Sequence, residues 1–127
     1  MNTINLLNSF ISGLKNAIIK NHKVFSTRSS TEIINILECL ERDGFIHKYD
    51  ISNKMLNISL KDNKGKLIIQ DVNYYSKPGK RLYININELK KFNQSFETLV
   101  LSTSKGILSN NEAIKKNIGG ELLFKII

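Results

Sequence analysis

The sequence predicts an α+β fold in two small subdomains: N-terminal helices on a short sheet over residues 1–75, and a mainly β subdomain with short helices over residues 76–127. Three observations carry this reading. Apolar residues at helical spacing dominate only the stretch up to Leu40. Apolar and polar residues then alternate, first through Leu56, Ile58 and Leu60 and again through Leu82, Ile84 and Ile86, the mark of half-buried strands. Turn and cap signals punctuate the rest without a low-complexity linker, so the boundary falls near Ser76, where helix-rich packing gives way to β-rich packing.

In chain order, Ile4, Leu7, Ile11, Leu14 and Ile18 form the buried stripe of a first helix, capped by Asn2 or Thr3. Asn8, Ser12, Lys15 and Asn16 lie opposite. A short strand is expected at Lys23–Phe25. Ser29 with Glu32 reads as a capping box for a second helix, with Ile33, Ile36, Leu37 and Leu40 inward and Gly44 as its left-handed stop. FIHKYDI is a strand, SNK a turn, MLNISLKD a strand, KDNKGK a turn and KLIIQDVNYY a further strand. In SKPGKR, Pro78 and Gly79 supply the two central conformations of a tight turn. RLYINI follows as a strand, NELKKF as a short helix capped by Asn87, and TLVLSTS as a strand. Ser109 with Glu112 opens a helix ending near Asn117, and GGELLFKII closes the chain as a strand.

The 127 residues carry a net charge of +8 and a pI near 9.6, so a polyanionic partner is expected. The cations run from Lys15 to Lys125 with no dense tail, which favours a folded basic surface. No apolar run approaches the ~20 residues of a membrane span. Cys39 is alone, so no internal disulfide can form, and its neighbours Ile36, Leu37 and Leu40 imply a buried thiol. His22 and His47 have no partner at metal-ligand spacing; neither metal nor cofactor is expected. Ile 19, Asn 16 and Lys 16, all with AT-rich codons, indicate the coding bias of an AT-rich genome. The N-terminal stretch lacks the layout of a signal peptide, and its first arginine is Arg28, unlike an Arg-rich transit peptide.

Chemistry-bearing residues gather in the second half. Ser102, Thr103, Ser104, Lys105 and Gly106 form an S-T-S-K-G loop. Arg81 and Tyr83 share one face of the RLYINI strand, beside Lys77 and Lys80 of the turn. Gly119, Gly120 and Glu121 complete the group. Cations meet phosphates, hydroxyls meet 2′-OH groups and base edges, and a tyrosine ring offers a stacking plane. Gly106, Gly119 and Gly120 allow close backbone approach to a ligand, and Glu121 can accept a hydrogen bond from a base amino group. Together on a basic chain these residues predict RNA binding. The rival is enzymatic: Ser102 to Lys105 is an S-x-x-K, the nucleophile signature of penicillin-binding proteins. That serine must open a helix, whereas Ser102 ends an apolar strand, and no S-D-N or K-T-G partner exists. No enzymatic activity or small-molecule substrate is expected.

The segment VLSTSKGILSNNEAIKKNIGGELLFKI resembles the C-terminal signature of the bacterial-type small-subunit ribosomal protein eight family. KPGKRLYININELK, ILECLERDGFI and LLNSFISGLKNA are similar to earlier family segments, in the family's order. The resemblance implies a two-part α+β protein that binds the central domain of small-subunit ribosomal RNA and supports subunit assembly beside neighbouring ribosomal proteins. It places Ser102, Thr103 and Ser104 on a base and backbone, Lys105 on a phosphate and Tyr83 over RNA. Arg81 and Lys80 would lie near phosphates, Gly106, Gly119 and Gly120 would shape the site, and Glu121 would support the loop or accept a base proton. The first helix departs from the family pattern T-R-I-R-N: Gly13 and Lys15 stand where it has arginines. Arg28 replaces a proline, and Thr31 a basic residue. With the codon bias, these departures predict an organelle-encoded copy in a mitochondrial ribosome, with plastid or AT-rich bacterial cytoplasm as alternatives. An RNA-binding regulator outside the ribosome is the other binding-class reading.

Overall fold

The computed structural model describes residues 3–75, 80–92 and 97–127. The chain divides into two compact units, one up to Val72 and one from Asn73 onward.

The first unit contains α1 (Thr3–Lys20), β1 (Val24–Arg28), α2 (Thr31–Arg42), β2 (Ile46–Ser52), β3 (Met55–Leu60) and a small hairpin of β4 (Asp62–Asn63) and β5 (Lys66–Leu67). An antiparallel sheet of order β1-β3-β2 carries α1 over β1 and α2 over β2. Leu7, Ile11 and Leu14 of α1, the whole expected α2 stripe, and Leu56, Ile58 and Leu60 are buried together, as is Cys39. Ile18 is only half-buried; Phe10 and Ala17 take its place in the core, because a stripe read at fixed spacing drifts around a straight helix. The Phe10 and Phe25 rings lie 6.0 Å apart, and Gly13 lies under Phe25, whose Cδ2 would be 3.2 Å from an added Cβ.

Several boundaries differ from those expected. β1 extends to Arg28 because it pairs along β3 from Val24↔Ser59 to Arg28↔Met55. The cap of α2 is Ser30, not Ser29: its side chain accepts from Ile33 N at 3.2 Å, while the Ser29 N–H is held by Lys54 O at 2.9 Å. Gly44, at φ 82°, ends α2 as expected, with Phe45 N donating to Leu40 O and Gly44 N to Glu41 O. Asn53 and Lys54, at φ 51° and 63°, make the mirror-image turn that suits the β2–β3 hairpin. KLIIQDVNYY is not one strand. Lys66–Leu67 folds back on β4, Ile68 N bonds Lys61 O, and the Asp71 carboxylate takes the Val72 N–H at 2.8 Å, so the ladder is interrupted before Val72.

A second sheet begins with β6 (Val72–Tyr74), which belongs to the second unit from Asn73 onward. It continues through β7 (Tyr83–Ile84), α3 (Ile86–Phe92), β8 (Thr98–Thr103), β9 (Gly106–Ser109), α4 (Asn110–Lys115) and β10 (Gly120–Ile126). The strand order is β6-β10-β8-β9, with β7 also on β10. Leu89, Leu99, Leu101, Leu108 and Ala113 form the core, joined by Ile84, Phe92 and Leu122 at its margin. The helix after β7 is capped by Asn85, not Asn87. Glu88 N donates to Asn85 Oδ1 at 2.9 Å and Asn85 N to Glu88 Oε1 at 3.2 Å, a reciprocal pair that Asn87 has no glutamate to make. The Ser109–Glu112 capping box forms as expected. Lys77, Pro78 and Gly79 of the expected turn lie outside the described residues. Among the described residues no helix is long and apolar enough to cross a membrane.

Candidate nucleic-acid interface

The S-T-S-K-G segment is the tip of a hairpin, with GILS returning as β9 where the sequence reading placed no strand. Thr103 pairs with Gly106, and Ser104 and Lys105 project between them, both exposed. Gly106 takes φ 106°, a conformation L side chains rarely adopt. The Thr103 hydroxyl closes the turn: Oγ1 accepts from Lys105 N at 3.1 Å and donates to Gly106 O at 2.8 Å. Its proton is therefore engaged inside the protein. Ser104, which has no hydrogen bond among the described residues, presents the open hydroxyl.

Pairing register assembles the rest. Tyr83 on β7 lies opposite Glu121 on β10, Glu121 opposite Ser102 on β8, and Ser102 opposite Ile107 on β9. Directly opposed residues share a face of an antiparallel sheet, so these four form one row across four strands. Tyr83 is 69% exposed, which excludes the ring from the core and leaves it as a surface plane. Arg81 Nη1 approaches Glu121 Oε1 at 3.6 Å; the carboxylate is mostly buried and the guanidinium half-exposed. Arg81 is thus tethered at one corner while about half of its side chain stays exposed. The second carboxylate oxygen of Glu121 is buried and has no hydrogen-bond partner among the described residues. Lys80 is exposed at the head of β7.

Gly119 and Gly120 pack tightly against the protein's own backbone. A Cβ on Gly119 would stand 2.3 Å from Ile84 O, and one on Gly120 would stand 2.4 Å from Ser102 O. What comes close to these glycines is the protein's own β7 and β8. Their small size seats β10 between the two strands and so brings Glu121 into line with Tyr83 and Ser102. The S-x-x-K reading fails on the same geometry: Ser102 lies in β8 and Lys105 in the turn beyond it, not one helical turn apart. Ile107 completes the row and was not singled out from the sequence; its place follows only once GILS is recognised as a returning strand.

The sequence model of the family described as ribosomal protein S8 matches residues 5–127. A Campylobacter lari protein named small ribosomal subunit protein uS8 is 35% identical over 126 residues, covering 95% of this chain and 96% of its own. The Wolinella succinogenes protein of the same name is 41% identical over 99 residues, 74% of this chain and 76% of its own. That of Helicobacter pylori is 36% identical over 118 residues, 89% of this chain and 90% of its own.

Proposed function

The chain belongs to the ribosomal protein S8 family, and from that premise we propose that it is a structural, non-enzymatic component of a small ribosomal subunit that binds the central domain of the subunit's RNA directly and supports assembly. The observation that carries the binding reading is the row Tyr83–Glu121–Ser102 ending beside the exposed Ser104–Lys105 tip. It sets a stacking plane, acceptors, hydroxyls and a cation on one side of a rigid sheet, suited to a stem whose bases are partly unpaired.

Lys105, Lys80 and Arg81 take phosphates, which positions the protein without reading sequence. Ser104 and Ser102 read base edges or 2′-OH groups, Tyr83 stacks on an unpaired base, and Glu121 supports the row by holding Arg81. Thr103 and Gly106 hold the tip, Gly119 and Gly120 shape the row, and Lys77 adds a further cation near Lys80 in sequence. The Ile/Asn/Lys bias and the replaced arginines of α1 support an organelle-encoded copy in a mitochondrial ribosome; bacterial relatives are what such a copy would resemble.

Density-gradient sedimentation of a lysate of the source cells, with mass spectrometry across the gradient, tests the assignment. The protein should travel with small-subunit RNA and its neighbouring ribosomal proteins. Its absence from those fractions, with RNA still bound, would instead favour a regulator outside the ribosome; recovery with a bacterium's own ribosomes would remove the organellar placement.

A further inference from the structure

The first unit carries a second surface whose chemistry is opposite to that of the RNA-facing row. β2 is an edge strand: β3 pairs one side of it, and no strand among the described residues pairs the other. Tyr49 and Ile51 lie opposite Ile58 and Leu56, so their side chains are on the helix-covered face of the sheet. Ile58 and Leu56 are fully buried there, yet Ile51 is 56% exposed, because the helical layer stops short of this corner. The nearby wall is α2, which packs on β2. Its solvent side shows Glu32, Asn35, Glu38 and Glu41, three residues apart.

These acids stand out in a chain of net charge +8. Many of its other carboxylates are committed within the fold: Glu88 and Glu112 close capping boxes, Asp62 pairs with Lys23, and Glu121 pairs with Arg81. Burial, then the negative field of Glu38 and Glu41, and a hydrogen bond to Glu38 hold the Tyr49 phenol above its ordinary value, so this corner is acidic as well as partly apolar. Lys48 and Arg28 lie on the other face of the sheet. Phosphate would be repelled here. A strand edge, an exposed β-branched side chain and a row of carboxylates fit a different ligand.

We propose that the outer edge of β2, with Tyr49 and Ile51 as floor and Glu38 and Glu41 as wall, docks an extended, lysine- or arginine-bearing segment of a partner protein by strand addition. Backbone bonds along β2 would supply affinity; on the face of the added strand towards α2, an apolar side chain would cover Ile51 and basic side chains two residues from it would reach the carboxylates. The inference goes beyond RNA binding and does not depend on it.

The probe is a capped seven-residue peptide, threonine-lysine-threonine-valine-threonine-lysine-threonine, which as a strand sets lysine and valine on one face, carrying a fluorophore and titrated into the full chain. It should bind, and protect the amides of residues 48–52 from hydrogen exchange. Glu38→Lys with Glu41→Lys should weaken it at least tenfold, as should Ile51→Asp. A peptide N-methylated on one edge should lose binding, since strand addition needs those N–H groups, and the glutamate-for-lysine peptide should not bind. Both protein variants should keep the wild-type circular dichroism and wild-type affinity for central-domain ribosomal RNA, which separates this surface from the other. The proposal is overturned if the lysine peptide does not bind, if neither variant changes its affinity, if protection appears away from β2, or if RNA competes it off.

Discussion

Replacing Gly120 with alanine puts one methyl group where two strands meet. The new Cβ would stand 2.4 Å from the carbonyl oxygen of Ser102 and 2.9 Å from Thr103 Cγ2. Favourable contact begins near ~3.5 Å, so β10 and β8 must part by roughly 1 Å. The obstacle is a backbone carbonyl inside a ladder, and it cannot rotate away as a side-chain tip could. Overpacking of this kind costs about 1–3 kcal/mol, and one strained ladder bond adds ~1 kcal/mol. Gly106→Ala is the internal comparison: nothing lies within 4 Å of its Cβ, so only φ 106° opposes it, at about 1–2 kcal/mol. Urea unfolding followed by circular dichroism gives both differences, and hydrogen exchange of the β8 amides, Ser102 among them, shows whether the sheet has opened there. If Gly120→Ala is no more destabilising than Gly106→Ala and the β8 amides exchange as in the wild type, the glycines do not seat β10. The row would then need another explanation.

Four further outcomes follow from the same structure. Lys105→Ala and Lys80→Ala should each flatten the log–log dependence of RNA affinity on salt by somewhat under one unit, as one phosphate contact's counterions are no longer released; titration across salt concentrations reads this. Ser104→Ala should weaken cognate stem by about 1–3 kcal/mol and leave a scrambled stem nearly unchanged, because the wrong base already leaves the hydroxyl unpaired. Thr103→Val should weaken both stems together, since its hydroxyl holds the tip through Lys105 N and Gly106 O; fluorescence titration against the two stems separates these cases. Leu37→Ala, at a fully buried position of α2, should cost roughly 2–5 kcal/mol in urea unfolding.

The α2 stripe, the Leu7, Ile11 and Leu14 part of the α1 stripe, the Gly44 stop and the Ser109–Glu112 box were legible because each depends on residues within a turn or two of one another. Caps offered by rival neighbours were less so. Ser29 has a glutamate three residues on, yet Ser30 takes the role, because the Ser29 N–H is fixed by Lys54 from the β2–β3 turn. Asn87 looked available, yet Asn85 and Glu88 close first. In the site, residue types announced their chemistry; their alignment did not. Tyr83, Ser102 and Glu121 are far apart in sequence and meet only through strand register, which no local pattern encodes. The same gap hid the packing of Thr103 and the two glycines, whose neighbours are Gly106, Ser102 and Ile84 of the same chain.

The central claim, that the hairpin tip faces a defined stem of small-subunit RNA, is tested most directly by cleavage from the tip itself. Cys39 is fully buried, so a cysteine introduced by Ser104→Cys is the accessible thiol and can carry a tethered iron chelate. Bound to small-subunit RNA, it should cut the backbone on the two sides of one irregular stem in the central domain. Cuts scattered over the RNA, or confined to a regular duplex elsewhere, would contradict the account.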